Sequence, residues 1–198
     1  FTAITPKINH KNEKYLERTL KSLIEQTYKN IEIVVVCDKP EEDCDKLVKS
    51  YIEKDNRIIY IKNDERKGKF KARIQGAQKA TGDYIAFLDA DNYASIDFYR
   101  NAINNAQTNN SEIVIGDIVY EQENGDKYVY NLMQLPLKKI EGKECFIKFF
   151  EQNGLNPFWN KIWNKIYAKE IFDKALNALQ KFENDVKKQK IKEPDYYR

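Results

Sequence analysis

Short apolar runs alternate with amphipathic segments through the first 120 residues, and this alternation limits the folds that the chain can adopt. The clearest run is Ile-Glu-Ile-Val-Val-Val at residues 31–36. A run so short and so rich in β-branched residues predicts a strand that is covered on both faces. Strands of this kind separated by helices predict an α/β fold, an open sheet of mostly parallel strands flanked by helices with right-handed crossovers.

The predicted elements of this half follow one another closely. Strands are predicted at residues 2–5, 31–36, 57–61, 84–88 and 112–118, and helices at residues 14–26, 41–54, 69–80 and 95–109. The first helix is indicated by apolar side chains at helical spacing, namely Leu16, Leu20, Leu23 and Ile24. A loop is predicted at residues 6–12. Ligands of such sheets bind beyond the carboxyl ends of the strands.

The second half of the chain has a different character. Asn124-Gly125 predicts a hairpin over residues 120–130, and residues 142–153 and those beyond 169 are predicted to be helical. The sequence Trp-Asn-Lys-Ile at 159–162 recurs at 163–166, which would put Trp159 and Trp163 on one face if this stretch is a helix. Such a pair suits a core, and also a surface on which a sugar stacks. We expect one domain over residues 1–198, with halves at 1–119 and 120–198.

Composition excludes several classes of protein. Lys and Arg number 34 and Asp and Glu 31, a formal net charge of +3, which is not the dense positive charge of a nucleic-acid-binding protein. Three cysteines without a C-x-x-C spacing indicate neither a disulfide framework nor a zinc cluster, and they suit a reducing cytoplasm. Because the chain starts at Phe1 without Met, we expect a piece of a longer protein that could carry a membrane anchor elsewhere.

His10 is the one histidine of the sequence. Catalysis by Ser-His-Asp or Cys-His groups, or a metal site that includes histidine, would have to use this residue. A loop or surface position is the ordinary interpretation of a single histidine. The sequence therefore predicts that any general base is a carboxylate.

Two carboxylates one residue apart, Asp89 and Asp91, directly follow the apolar run at residues 84–88. Side chains two apart on an extended chain point the same way, so both carboxylates could face one ligand. Asp43-Cys44-Asp45 has the same pattern but lies in a predicted helix start, where residues two apart do not face each other. The preceding strand, and not the pattern, distinguishes Asp89 and Asp91.

Carboxylate oxygens are the ligands that Mg²⁺ and Mn²⁺ prefer. A cation held by one or two carboxylates normally completes its coordination with water and with the phosphates of a substrate. The sequence therefore predicts a Mn²⁺ or Mg²⁺ site at Asp89 and Asp91 and a nucleotide diphosphate as the bound group.

Glycine is absent before Gly68, and this absence separates related folds. The phosphate-binding loop and the dinucleotide fingerprint both need glycines after the first strand. The glycine-rich loop of sugar nucleotidylyltransferases needs them there too. A nucleotide held by a metal and by side chains is the arrangement that remains.

Several motifs occur together and in order. They are Pro6 with Asn9, the helix at 15–28 with Leu-Ile-Glu-Gln-Thr at 23–27, Val36-Cys37-Asp38, Gly68 with Ala72-Arg73, and the run from Ala80 to Asp91. Together they resemble the family 2 glycosyltransferases, inverting enzymes of the GT-A fold that use nucleotide sugars. The resemblance covers roughly residues 1–120.

The resemblance implies roles for individual residues. Pro6 and Asp38 would belong to the nucleotide site, with Asp38 at the nucleobase, most often uracil. Arg73 would lie near the diphosphate, together with the neighbouring basic residues Arg66, Lys67 and Lys69. Asp89 would contact the ribose or the metal, and Asp91 would bind the metal directly. Asp38 could instead simply begin a turn before Pro40, and the basic residues could be a solvated helix face.

Inversion needs a base near the acceptor hydroxyl. In the family this residue belongs to an acidic motif after an Asn-Lys-Ile-Tyr-like segment, which Asn164-Lys165-Ile166-Tyr167 resembles. Glu183 and Asp185 are the candidates that follow it. A solvated salt bridge between Glu183 and Lys187, four residues on, is an equally good interpretation.

The resemblance thus implies a metal-dependent inverting transferase. It would move a sugar from a nucleotide diphosphate, UDP above all, to a hydroxyl of a glycan or lipid-linked glycan, in bacterial surface polysaccharide synthesis. We expect it in the cytoplasm, at the inner face of the membrane if parts outside this chain attach it there. A catalytically silent binding module is the alternative, and a sugar nucleotidyltransferase is a weaker one.

Overall fold

In the computed structural model the described residues are 1–7, 13–122, 124–130, 141–142, 144 and 161–188. The strands are β1 (Thr2–Lys7), β2 (Glu32–Asp38), β3 (Ile58–Asn63), β4 (Tyr84–Phe87), β5 (Ile113–Ile115), β6 (Ile118–Glu121), β7 (Lys127–Tyr130) and β8 (Lys165–Ala168). The helices with assigned bounds are α1 (Glu13–Ile24), α2 (Glu42–Ile52), α3 (Lys69–Lys79), α4 (Phe98–Asn109) and α5 (Lys169–Lys188). Among the described residues no helix is both long and apolar enough to cross a bilayer.

Six strands form one sheet in the order β3-β2-β1-β4-β8-β5. β1 pairs in parallel with β2 and with β4, and β2 pairs in parallel with β3. β8 is antiparallel to both of its neighbours, β4 and β5. The predicted α/β sheet of mostly parallel strands is confirmed. The carboxyl ends of β1, β2, β3 and β4 therefore meet at one edge, and the amino-terminal end of β8 lies at the same edge.

The sheet is covered on both faces, as its apolar strands predicted. Alternate residues of each strand point to opposite faces, so Ala3 joins the larger cluster with α1, α2 and α4, whereas Ile4 joins the smaller one. The smaller cluster contains Ala72 and Ala77 of α3, and Phe172 of α5 packs against it.

The first strand is longer than predicted. Pro6 and Lys7 continue β1 opposite Val36 and Cys37, in a region where a loop was expected. Proline cannot donate to a strand ladder. On the β4 side the register of β1 ends at Ile4, so the missing amide of Pro6 lies beyond the paired part of that edge.

The segment after α4 also differs from the prediction of one strand at residues 112–118. The structure divides it into β5 and β6, which belong to different sheets. Gly116 lies between them, where a Cβ atom would come within 2.2 Å of the Phe98 ring. The predicted hairpin at residues 120–130 is confirmed as the antiparallel pair of β6 and β7.

The repeated Trp-Asn-Lys-Ile sequence would put Trp159 and Trp163 on one face only if it formed a helix, and residues 161–168 do not form one. Residues 165–168 form β8, which completes the sheet between β4 and β5. Ile166 and Tyr167 contact opposite clusters of the core, as neighbours on a strand do. Trp163 lies in a turn just before this strand. Trp159 and most of the helix predicted at 142–153 lie outside the described residues.

Asp45 shows that the second Asp-x-Asp pattern serves packing. The Tyr60 hydroxyl donates to its carboxylate at 2.8 Å, and Lys49 Nζ lies 2.8 Å from its other oxygen. These two contacts, led by Lys49, lower the pKa of Asp45 to about 2. Asp43, two residues earlier in the same helical turn, is exposed.

We expect Asp45→Ala to lower the free energy of unfolding at pH 7 by about 1 to 3 kcal/mol, because Tyr60 loses its buried acceptor. Asp43→Ala should change it by less than about 0.5 kcal/mol. Since the pKa of Asp45 is lowered, its contribution is present above about pH 4 and disappears as the pH falls toward 2. Urea unfolding of both variants at pH 7 and pH 3 checks this. Equal stabilities of the two variants at pH 7 would contradict it.

Gly76 allows α3 to lie close to the sheet. A Cβ atom at this position would come within 2.3 Å of Ile4 Cγ2 and 3.4 Å of Val36 Cγ2. Gly76→Val should therefore destabilise the protein by about 1 to 3 kcal/mol through overpacking. Gln78→Val, on the exposed side of α3, supplies the matched control. Thermal unfolding distinguishes them, and a Gly76 variant as stable as the control would refute the close-contact explanation.

Candidate functional site

The candidate site lies at the carboxyl edge of the parallel strands. Asp38 is the last residue of β2, and Asp89 follows β4 by one residue. Leu88 still donates its amide to the Ile4 carbonyl at 2.9 Å, so the chain leaves the sheet only at Asp89. α3 begins at Lys69 at this edge and contributes basic side chains. The topology therefore brings Asp38, Arg73 and Asp89 to one edge of the sheet.

Asp89 is paired with two cations of α3. Lys69 Nζ donates to Asp89 Oδ2 at 2.9 Å, and Arg73 Nη2 donates to Asp89 Oδ1 at 2.7 Å. Lys69 and Arg73 are four residues apart and therefore lie on one side of the helix. Asp89 is 7% exposed, so its charge is buried and needs these partners.

Arg73 has unused hydrogen-bonding capacity. Its Nε is buried and has no hydrogen-bond partner within the part of the chain that the structure describes. Its side chain is 20% exposed, less than half the 49% of the Lys69 side chain. A buried donor without a partner is uncommon in folded proteins and is a feature that ligand-binding sites tolerate.

Asp38 holds the loop that leads into α3. Its carboxylate accepts the amide of Lys67 at 2.8 and 2.9 Å and the amide of Gly68 at 2.7 Å. Asn63 Nδ2 donates to it at 3.2 Å. At 1% exposure the side chain is thus fully enclosed by hydrogen-bond donors. Whether Asp38 also contacts a nucleobase stays a prediction.

The turn at Gly68 depends on glycine. Its φ of +85° lies in the left-handed half of the backbone map, which side chains disfavour. This turn carries the chain from the Asp38 carboxylate into α3, which bears Lys69 and Arg73. Arg66 and Lys67 on the preceding loop are exposed.

Asp91 differs from Asp89 in being exposed. No donor among the described residues pairs with its carboxylate, so its oxygens face solvent. Nor do three or more His, Cys, Asp or Glu side chains gather into a metal-binding group within the described ranges. One free carboxylate fits a cation that takes most of its ligands from phosphate and water. Asp89, with both oxygens paired to cations, fits a metal less well in this arrangement.

The segment after Asp91 contacts the hairpin. The Tyr93 hydroxyl donates to Glu121 Oε2 at 3.0 Å, and Arg18 Nη1 donates to the same oxygen at 3.0 Å. The Arg18 guanidinium also lies 4.5 Å from the centre of the Tyr93 ring. Sequence reasoning missed this network, because its members come from α1, a loop and β6.

Glu183 and Asp185 lie in the C-terminal part of α5. α5 begins where the Lys169 amide donates to the Asp83 carbonyl at 2.7 Å, at the opposite edge of the sheet from Asp89. From Gln180 to Asp185 every side chain is exposed. Within the described ranges no hydrogen bond or ion pair joins Glu183 or Asp185 to Asp38, Asp89 or Asp91, so the role of either as base stays a prediction. Pro6 lies in β1 near the site edge, and His10 lies outside the described residues.

Lys165 also lies at this edge of the sheet, and the sequence did not assign it to the site. The pairing of Ile166 with Ala86 puts Lys165 beside Phe87, two residues before Asp89. Lys165 Nζ donates to Asn164 Oδ1 at 2.7 Å and to the Lys161 carbonyl. Burial lowers the pKa of its ammonium to about 8. The sequence did not predict the strand that carries Lys165, which concealed this position.

Comparison with known proteins identifies relatives that match 61 to 93% of this chain. Streptococcus pneumoniae glycosyltransferase GlyA is 29% identical over 191 residues, which are 93% of this chain and 26% of GlyA. The crystal structure of S. aureus TarS 1-349 in complex with UDP has a TM-score of 0.63 at 19% identity, covering 88% of this chain and 48% of that one. The mannosyltransferase PcManGT from Pyrobaculum calidifontis, in complex with GDP-Man and Mn²⁺, has a TM-score of 0.52 at 23% identity, covering 61% and 35%.

The likeness to the two solved structures shows a GT-A fold. The chain spans about a quarter of the length of GlyA and about half of that of TarS 1-349. The family model for glycosyl transferase family 2 matches residues 2–181. This match covers nearly all of the chain, including the sheet edge that holds Asp38 and Asp89 and the exposed Asp91. The chain therefore belongs to glycosyl transferase family 2.

Proposed function

We propose that this chain is an inverting glycosyltransferase domain that uses a nucleotide diphosphate sugar. One observation carries the proposal: Asp89 is held by Lys69 and Arg73 at the carboxyl edge of the sheet, beside the exposed carboxylate of Asp91. Two cations and a free carboxylate can bind a diphosphate and its metal ion together. We propose UDP as the nucleotide and Mn²⁺ or Mg²⁺ as the ion.

The relatives support the donor class. One solved structure of TarS is a complex with UDP, and the structure of PcManGT is a complex with GDP-Man and Mn²⁺. UDP is a nucleoside diphosphate, and GDP-Man is a sugar linked to one. In this chain two cations, Lys69 and Arg73, pair with the residue two before the exposed carboxylate of Asp91, and such a set of groups fits the same kind of ligand.

Lys69 and Arg73 would exchange partners when the donor binds. In the structure their charges are directed at Asp89. Diphosphate oxygens could accept from the same nitrogens, because arginine and lysine bind phosphate as readily as carboxylate. Asp89 would then be free to accept a hydrogen bond from the ribose. Asp91 would hold the metal ion, which when bound stabilises the negative charge of the departing nucleotide diphosphate.

Inversion would proceed in one displacement. The acceptor oxygen forms a bond to the anomeric carbon as the bond from that carbon to the diphosphate breaks, and a carboxylate takes the hydroxyl proton. We propose Asp185 or Glu183 as this base, a hydroxyl of a glycan or lipid-linked glycan as the acceptor, and bacterial surface polysaccharide synthesis as the context. Residues 1–119 would bind the donor and residues 120–198 the acceptor, in one domain at the cytoplasmic face of the membrane.

A binding module without turnover is the second candidate. The observation that favours it is the exposure of Glu183 and Asp185 near the C-terminal end of α5. Such a module would bind the nucleotide sugar and leave it intact.

A panel of UDP-sugars and GDP-sugars, incubated with the protein in Mn²⁺ or in EDTA, separates these functions. We expect slow release of UDP from at least one UDP-sugar in Mn²⁺ and none in EDTA. Arg73→Met should lower this rate by on the order of 10²-fold, because it removes a charge that stabilises the leaving diphosphate. Lys79→Met, at the far end of α3, should not change the rate. Binding without release of UDP would support the silent module, and neither binding nor release would contradict both functions.

A further inference from the structure

The backbone that follows Asp91 is held by polar side chains of α1 and of the turn after it. We call Thr19, Ser22, Gln26 and Thr27 the α1 clamp. Each of them contacts the segment at residues 92–99. A helix that packs on a sheet normally presents apolar side chains to it, so a set of polar contacts to one segment needs its own explanation.

Within the α1 clamp, Thr19 binds the residue nearest to Asp91 in the sequence, Asn92. Its Oγ1 lies 2.6 Å from the Asn92 carbonyl and 3.0 Å from the Tyr15 carbonyl, and the residue is 0% exposed. The Asn92 amide donates to the Asp89 carbonyl at 2.9 Å. The peptide units on both sides of Asn92 are therefore fixed, one by Asp89 and the other by Thr19.

The rest of the α1 clamp holds the segment farther along. Ser22 Oγ accepts the Ala94 amide at 3.2 Å. Gln26 is 0% exposed, donates to the Ser95 carbonyl at 2.7 Å and accepts the Tyr99 amide at 3.3 Å. Thr27 Oγ1 donates to Asp97 Oδ1 at 2.7 Å, six residues from Asp91.

Asp91 itself makes no hydrogen bond to a described residue, so its carboxylate is positioned by its backbone. The Asp91 backbone lies between Asp89, which Lys69 and Arg73 hold, and Asn92, which Thr19 holds. We propose that Thr19 is a positioning residue for Asp91, which it keeps at the place where the carboxylate can bind a metal ion together with a nucleotide diphosphate. This inference rests on the proposed function, since Asp91 needs a fixed place only if it binds such a group.

The inference gives Thr19 a role that differs from that of an ordinary buried threonine. If Thr19 only packs, its substitution should change the stability of the fold and should change nucleotide affinity by the same factor with and without metal. A residue that positions Asp91 would change the metal-dependent part of nucleotide affinity. Groups that orient metal ligands typically contribute about 10- to 100-fold to metal affinity.

Calorimetric titration of UDP in Mn²⁺ and in EDTA tests the inference on wild type, Thr19→Val, Thr19→Ser and Thr27→Val. Valine has the shape of threonine without its hydroxyl, so we expect Thr19→Val to lose about 10- to 100-fold in UDP affinity in Mn²⁺ and to match wild type in EDTA. Thr19→Ser keeps the hydroxyl and should bind within about threefold of wild type. Thr27→Val removes an equivalent bond at the distant end of the segment and should behave like wild type.

Three results on the valine variants would overturn the inference. Thr19→Val could bind UDP as wild type does in Mn²⁺, it could lose the same factor in EDTA, or Thr27→Val could lose as much as Thr19→Val. A wild type whose UDP affinity does not rise with Mn²⁺ would overturn the metal role of Asp91 first, and the inference with it. Should Thr19→Val fail to fold, Thr19→Cys replaces it, because a thiol is a weaker donor of similar size. The cysteine variant is then expected to lose affinity in Mn²⁺ alone, and wild-type affinity would overturn the inference.

Discussion

Asp91→Asn is expected to reduce the metal-dependent transfer or hydrolysis of a nucleotide sugar by on the order of 10²- to 10³-fold. The amide keeps the size of the carboxylate but removes the charge that binds the cation. Because Asp91 is exposed and has no partner among the described residues, the substitution should leave the unfolding midpoint within about 1 °C of wild type. We therefore expect this variant to lose activity while it keeps the stability of wild type.

Asp43→Asn is the matched control for Asp91→Asn. Asp43 begins the other Asp-x-Asp pattern and is also exposed, but it lies in the first turn of α2. Its rate should equal that of wild type. Steady-state rates over a series of Mn²⁺ concentrations provide the measurement. A rate for Asp91→Asn that recovers fully at high Mn²⁺ would mean weaker binding of the metal, whereas wild-type rates throughout would remove Asp91 from the site.

Asp38→Ala is expected to cause a large loss of stability. It would leave the amides of Lys67 and Gly68, whose hydrogen bonds to Asp38 are partly buried, without that acceptor, and Asn63 without one of its partners. Each such group costs about 1 to 3 kcal/mol, so we expect a loss of about 2 to 5 kcal/mol in the free energy of unfolding. The loop into α3 should loosen as well, and UDP affinity should fall because Lys69 and Arg73 follow that loop.

Two further variants make the Asp38 result specific. Asp38→Asn keeps one acceptor oxygen but turns an NH₂ group toward an amide donor, so its stability should lie between those of wild type and Asp38→Ala. Asp64→Ala, on the exposed part of the same loop, should change stability by less than about 0.5 kcal/mol. Urea unfolding monitored by circular dichroism gives all three values. An Asp38→Ala variant as stable as Asp64→Ala would show that the carboxylate does not hold the loop.

The parallel part of the sheet could be predicted because its signals are local. Apolar runs such as residues 31–36 are buried on both faces, and helical periodicity marks α1 over most of its length. Once the strands alternate with helices, right-handed crossovers leave few strand orders. The edge that holds both Asp38 and Asp89 follows from that order, so their placement was predictable in outline.

The antiparallel part could not be predicted, because its pairing is not local. β8 inserts between β4 and β5, which are separated from it by long stretches of chain. Four residues, Lys165 to Ala168, carry too short an alternation to oppose the helical spacing of the repeated Trp-Asn-Lys-Ile sequence. Ile166 belongs to the core only because β4 and β5 lie on either side of it.

The hydrogen-bond and ion-pair partners of the site residues could not be predicted from the sequence either. The pattern predicted that Asp38 and Asp89 would lie at strand ends, but not that backbone amides would surround Asp38 or that two cations would bind Asp89. These contacts depend on the path of the loop through Gly68 into α3. The α1 clamp is a similar case, since polar side chains in an amphipathic helix do not reveal which backbone they meet.

Calorimetric titration of UDP into the wild-type protein, with Mn²⁺ and with EDTA, tests the central claim most directly. We expect a single site whose affinity rises at least tenfold in Mn²⁺, because the cation joins the diphosphate to Asp91. Titration of uridine alone should show no such rise, since it has no phosphate to share the metal. No heat of binding in either condition, or the same affinity in Mn²⁺ and EDTA, would contradict a metal-assisted nucleotide site at Asp89 and Asp91.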